Sequence, residues 1–111
     1  MKNRQLSFQR LSELSRSEFE TLEQLPNIGP AAAGYFKQVD VSHPQDLVGR
    51  DPYTLFEKLC RVTNCRFDPC LLDQFISAVR FMEGDEAKPW WEYTSERKQE
   101  YDSHHKTDVS P

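Results

Sequence analysis

The sequence predicts an all-α protein, a compact bundle of about five short helices. Three observations carry that prediction. Apolar residues recur at helical spacing, and no stretch sustains the apolar–polar alternation of a half-buried strand. No dipeptide marks a two-residue β-hairpin. Pro30, Pro52 and Pro69 each stand where a first helical residue belongs, the last two directly after an aspartate.

The elements follow in order. Ser15-x-x-Glu18 is a capping box, and Phe19, Leu22 and Leu25 follow at helical spacing, so a first helix is expected up to Leu25. Pro26 ends it, because a residue before proline avoids the α region. Asn27-Ile28-Gly29 makes a tight connection, and Pro30 opens a second helix running to about Gln38. Ser42-x-x-Gln45 is a second capping box, opening a short helix that Gly49 closes. Asp51 caps the next helix, which carries Tyr53, Phe56, Leu59 and Cys60 on one side. Asp68-Pro69 repeats the device, and Leu71, Leu72, Phe75, Ile76, Val79 and Met82 form a broad stripe ending near Gly84. Lys88 to Tyr93 starts extended, and Thr94 or Ser95 caps a last helix through Tyr101.

The 111 residues allow one domain, and ten of the thirteen aromatics fall between Leu25 and Tyr93. The division is therefore a polar N-terminal extension over residues 1–15, a domain over 16–98 and a flexible tail over 99–111. The mean hydropathy of -0.77 and the lack of any run near ~20 apolar residues exclude a membrane partner. The start has no apolar stretch of the secretory kind, so the expected location is cytoplasmic, with Cys60, Cys65 and Cys70 as free thiols. Fourteen basic against eighteen acidic residues leave a net charge of -4, which opposes strong indiscriminate binding to phosphates.

The most informative stretch is the connection from Leu22 to Phe36. Asn27 and Gly29 both tolerate the positive φ that sharp turns often use. Ile28 plugs the apolar interior, and the small residues Ala31 to Gly34 permit close helix approach. The amides of Ala31, Ala32 and Ala33 at the helix start form a candidate anion site.

This stretch resembles the helix-hairpin-helix motif of DNA repair proteins, with Leu22, Leu25, Pro26, Ile28, Gly29, Ala33 and Phe36 at matching positions. With Pro44 to Gly49, Asp51-Pro52-Tyr53, Asp68-Pro69-Cys70 and Pro89 to Thr94, the series is similar to the bacterial pathogenicity-locus family, some members of which carry the label mitomycin resistance protein. The resemblance covers about residues 18–98. It implies a SAM-domain-like arrangement. It also implies contact with a DNA backbone phosphate through the turn and helix-start amides of Asn27, Gly29 and Ala32. A monovalent cation on the carbonyls of Glu23, Leu25 and Ile28 belongs to the same implication. Asn27 departs from the usual first glycine. Ala31 and Ala32 stand where Lys, Arg or Ser are frequent, Lys37 is the lone cation of the second helix, and Glu18, Glu20 and Glu23 would repel a phosphate. The expectation is weak, sequence-independent DNA binding in DNA maintenance or damage tolerance, at Asn27, Ile28, Gly29, Ala31, Ala32 and Lys37. The alternative is a protein-interaction module with no nucleic-acid role.

Three further groups of residues carry chemistry of their own. The cysteines are spaced without the close pairs of a zinc site and are expected to be structural, although the first-turn position of Cys70 would favour a thiolate. Trp90 and Trp91, flanked by Lys88, Arg97 and Lys98, are a candidate stacking or partner surface; packing of one and partial exposure of the other is expected. No nucleophile, phosphate-loop or zinc-protease motif is present, and Asp46, Asp51, Asp68 and Asp73 read as caps and exposed faces, so the chain is expected not to be an enzyme.

Overall fold

The computed structural model describes residues 15–102. The expected extension and tail thus lie outside the described residues over 1–14 and 103–111. The described chain is all-helical: α1 spans Pro30–Lys37, α2 Pro52–Thr63, α3 Pro69–Met82 and α4 Thr94–Arg97. Short 3-10 turns fill the connections at Arg16–Glu18, Leu22–Gln24, Pro44–Leu47 and Trp90–Tyr93, and a π turn, Lys98–Asp102, follows α4. Among the described residues no helix is long and apolar enough to cross a membrane.

The helices with proline at N1 begin where the sequence places them, since a missing N–H costs nothing there. Asp51 caps α2 by accepting from the Tyr53 amide at 2.9 Å, whereas Asp68 makes no side-chain cap bond. α2 ends at Asn64 in the left-handed conformation, φ 54°. α3 is the central element. It packs against α2, α4 and the turns Pro44–Leu47 and Trp90–Tyr93, and its apolar stripe is buried as expected. Phe75 stacks on Phe36 of α1 at 4.2 Å and meets Phe56 of α2 edge-on at 6.2 Å.

Two expected helices are instead 3-10 turns. Between Ser15 and Leu25 the chain breaks at Phe19, which is extended and meets Phe81 edge-on at 5.3 Å. Arg16 lies over the Phe81 ring and donates to the Phe81 carbonyl at 2.8 Å and the Asp85 carbonyl at 2.6 Å. Gln45 donates to the Phe19 carbonyl at 2.7 Å. Tertiary partners thus take up backbone groups that a continuous helix would have paired within itself. Gln45 is consequently not the box residue of its own turn. Asp46 is, accepting from the amides of Ser42 and His43 at 3.0 and 3.1 Å. Those two amides hold the Asp46 carboxyl below its usual pKa.

The segment around α1 occurs twice in backbone form. The turn and helix-start features between Glu20 and Pro30 return twenty-two residues later. Thr21 and His43 are extended, and the following turns are closed by Gln24 and Asp46, each accepting from two preceding amides. Ile28 N–H donates to Leu25 as Arg50 N–H donates to Leu47. Asn27 and Gly49 both carry positive φ, 69° and 80°. Gly29 and Asp51 occupy the N-cap with φ of -96° and -91°, and proline follows each. This duplication is in the hydrogen-bond register; between 19–37 and 41–59 the residues themselves agree at two positions, Leu25 with Leu47 and Pro30 with Pro52.

Beyond α3 the chain is pinned by side chains. Tyr53 donates to Glu96 at 2.8 Å, and Arg80 binds the same carboxylate at 2.6 Å. Tyr101, which the sequence assigns to the tail from residue 99, packs on the core and donates to Glu57. Burial first, then a neighbouring carboxylate, raises the phenol pKa of Tyr53, Tyr93 and Tyr101. The folded state therefore keeps protons that the unfolded chain releases near pH ~10. Their contribution to stability is constant below that pH and is lost as pH rises above it. Site-resolved NMR of the three rings is expected to show phenolate only as the helical circular-dichroism signal disappears; phenolate at these positions with helicity intact would contradict the assignment.

Candidate functional site

The turn from Leu25 to Gly29 is built on Asn27. Its positive φ redirects the chain, and its side chain then points inward, donating to the Lys88 carbonyl at 2.7 Å and to Ser77 Oγ at 3.2 Å. The Asn27 amide group thereby ties the turn to α3 and to the segment before Trp90. Of its N–H groups only the backbone one is left for an external acceptor. Ile28 is 2% exposed and seals the core side, so it too offers backbone alone. Gly29 does not take the positive φ the sequence permits; at -96° it is extended, and a Cβ there would meet nothing within 4 Å. Neither conformation nor room inside the protein demands glycine at this position.

The start of α1 is open. Gly29 brings no side chain, and the N–H groups of Ala31 and Ala32 meet no acceptor among the described residues. The Ala33 amide, expected to share in the site, is instead taken by the Gly29 carbonyl at 3.0 Å. The second copy of the same backbone is closed. There Asp51 Oδ1 accepts from the Tyr53 amide, and Oδ2 from Thr54 Oγ1 at 3.2 Å. The chain therefore fills one helix start with its own carboxylate and leaves the equivalent start vacant. Gly29, Pro30 and Ala31 are exposed, and the Ala32 side chain is buried. Lys37 is exposed at the far end of α1, roughly 10 Å along the axis. The Leu25 carbonyl, one of three assigned to a cation, already accepts from Ile28 and retains a second lone pair.

The tryptophan pair divides as expected. Trp90 is half-buried, Trp91 is 61% exposed, and the indoles meet edge-on at 5.6 Å. Lys88 lies over the Tyr93 ring at 4.9 Å. Arg97 is not beside them on the surface. It is buried, and its Nε donates to Asp73 Oδ1 at 2.7 Å. Asp73 correspondingly is neither a cap nor an exposed residue. It is 1% exposed on α3 and accepts also from Thr94 Oγ1 at 2.7 Å. The signal for this was the character of α3, whose residues are apolar on most of its circumference, so that an aspartate in its first half faces inward with little choice.

Cys65 is exposed, Cys60 and Cys70 are partly buried, and all three are free thiols. Among the described residues no three His, Cys, Asp or Glu side chains converge to hold a metal ion.

Comparison with known proteins follows the same stretch of chain. The family model described as pathogenicity locus matches residues 15–99. The mitomycin resistance protein McrB of Streptomyces lavendulae is 41% identical over 85 residues, covering 77% of this chain and 81% of that protein. No solved structure matches. The matched region runs from the first 3-10 turn through α4 and so contains the vacant helix start, the duplicated turn and the tryptophan pair: the chain belongs to the pathogenicity locus family.

Proposed function

We propose that the protein binds the phosphate backbone of DNA, weakly and without regard to sequence, at the amides of Asn27, Gly29, Ala31 and Ala32. The turn and α1 then work as a helix-hairpin-helix whose first helix is shortened to a 3-10 turn. The two copies stand as paired units in a SAM-domain-like arrangement. One observation carries the reading: at the equivalent helix start the Asp51 carboxylate accepts from the Tyr53 amide, while Gly29 leaves the corresponding Ala31 amide free. A phosphate oxygen supplies the missing acceptor, favoured by the helix dipole. With Glu20 and Glu23 exposed nearby and a net charge of -4, the affinity is low and salt-sensitive. The name of the Streptomyces relative supports a damage-tolerance setting. The role proposed is binding, and Asp40, Asp46, Asp51 and Asp73 are already committed to Lys58, to caps and to Arg97.

Gly29→Asp tests this directly, because it copies the second unit into the first. The N-cap carboxylate fits the extended φ and the open space, and is expected to raise stability by a few tenths of a kcal/mol. Binding of fluorescent single-stranded, duplex and branched DNA at low salt is expected to fall about 10- to 100-fold, for one or two charge-assisted hydrogen bonds lost. Undiminished binding by this variant, or none by the wild type at low salt, overturns the reading in favour of a protein-interaction module.

A further inference from the structure

Trp91 is the one aromatic side chain classed as exposed among the described residues. It is also held in place. Trp90 abuts it edge-on, the Glu92 amide closes the turn onto the Pro89 carbonyl at 3.1 Å, and Tyr93 anchors the next position at 4% exposure. On the other side, the Lys88 carbonyl is bound by Asn27, the residue that makes the hairpin turn. An exposed indole on a fixed turn is thus joined to the vacant amides through a single side chain. Lys88 and Trp91 are three positions apart and so at most roughly 10 Å from each other, and the 3-10 turn that starts at Trp90 keeps them closer than that.

We propose that Trp91 stacks on an unpaired base of a strand whose phosphate sits at the hairpin, so that the preferred ligand is single-stranded DNA or the single-stranded flank of a duplex. This rests on the phosphate-binding reading above. The charge of the chain decides which kind of contact matters. Net negative, with Glu86 and Glu92 exposed near the indole, the surface gains little from phosphates alone. Stacking on an aromatic ring is independent of that charge and adds a salt-insensitive contribution for each base engaged. Within a duplex the bases stack on each other and present no free face to the indole. The same surface therefore distinguishes strands by pairing and not by sequence.

The test compares wild type, Trp91→Ala, Trp91→Phe and Gly29→Asp on a labelled oligo(dT) and on a mixed-sequence duplex. Trp91→Ala is expected to lose roughly tenfold or more on oligo(dT) and to keep duplex binding within about twofold. Trp91→Phe restores most of the single-strand affinity. Indole fluorescence quenching by oligo(dT), present in the wild type, disappears in Trp91→Phe, where only Trp90 remains. Wild-type oligo(dT) affinity in Trp91→Ala overturns the proposal, as does an equal loss on both ligands. In either case a loss of both ligands by Gly29→Asp leaves the hairpin reading standing, whereas Gly29→Asp binding like wild type removes the hairpin reading itself.

Discussion

Asp73→Ala is expected to destabilise the protein by about 3–5 kcal/mol, the cost of breaking a buried ion pair from one side. Asp73 is 1% exposed, and its two oxygens accept from Arg97 and Thr94 at 2.7 Å each. These bonds join α3 to α4 across twenty-one and twenty-four positions of sequence. Removing the carboxylate takes the acceptor of the Arg97 Nε and of the Thr94 hydroxyl out of a site almost closed to water. For a domain whose whole stability is about 5–15 kcal/mol, the shift in the urea midpoint is large. Asp73→Leu combined with Arg97→Met is expected to recover most of the loss, because apolar side chains of similar size need no partner. A loss under about 1 kcal/mol in Asp73→Ala would show that Arg97 escapes to water and that the pair holds nothing together. Hydrogen exchange adds a spatial check: amides of α4 lose protection before those of α2.

Phe75→Ala is expected to cost a similar about 3–5 kcal/mol, for a different reason. Phe75 is fully buried, stacked on Phe36 and edge-on to Phe56, so one ring closes the junction of α1, α2 and α3. Its removal leaves a cavity that three separately anchored helices cannot close together. The Phe36 ring loses its stacking partner, and α1 has only eight residues, too few to hold its form without packing. Urea denaturation gives the magnitude, and amide protection at Phe36 reports whether α1 loosens. Phe75→Leu fills much of the same space and is expected to lose less than half as much. Equal losses for the two variants would mean that shape, rather than volume, governs this junction.

The helical class and the starts of the three long helices were legible because their causes are local. Proline at N1 acts through its own φ and its missing N–H, and Asp51 caps α2 from two residues away. The apolar stripe of α3 is likewise a property of adjacent turns. The first capping box misled for the same kind of reason in reverse. Ser15 and Glu18 have the right spacing, yet Arg16 and Phe19 are claimed by Phe81, Asp85 and Gln45, residues far along the chain. Gln45 was matched to the wrong role by one position, since Asp46 has the shorter reach that suits its turn. The duplication was invisible because it is carried by hydrogen bonds common to dissimilar residues.

The site was legible in part. The turn itself points to Asn27, Ile28, Gly29, Ala31 and Ala32, and an adjacent tryptophan pair in a small domain divides into one packed and one exposed ring. The sequence could not show that the Asn27 side chain reaches Lys88, nor that Asp73 and Arg97 pair in the interior. By itself, then, the sequence determined the helical class, the three long helices and the turn chemistry between the first two, all set within a few residues by φ restriction, capping and apolar period. The tertiary structure decided which helix start stays open, which charges are buried and which indole faces water. Those outcomes depend on what distant segments bring into contact, and a backbone amide or a carboxylate takes whichever partner the fold places within hydrogen-bond reach.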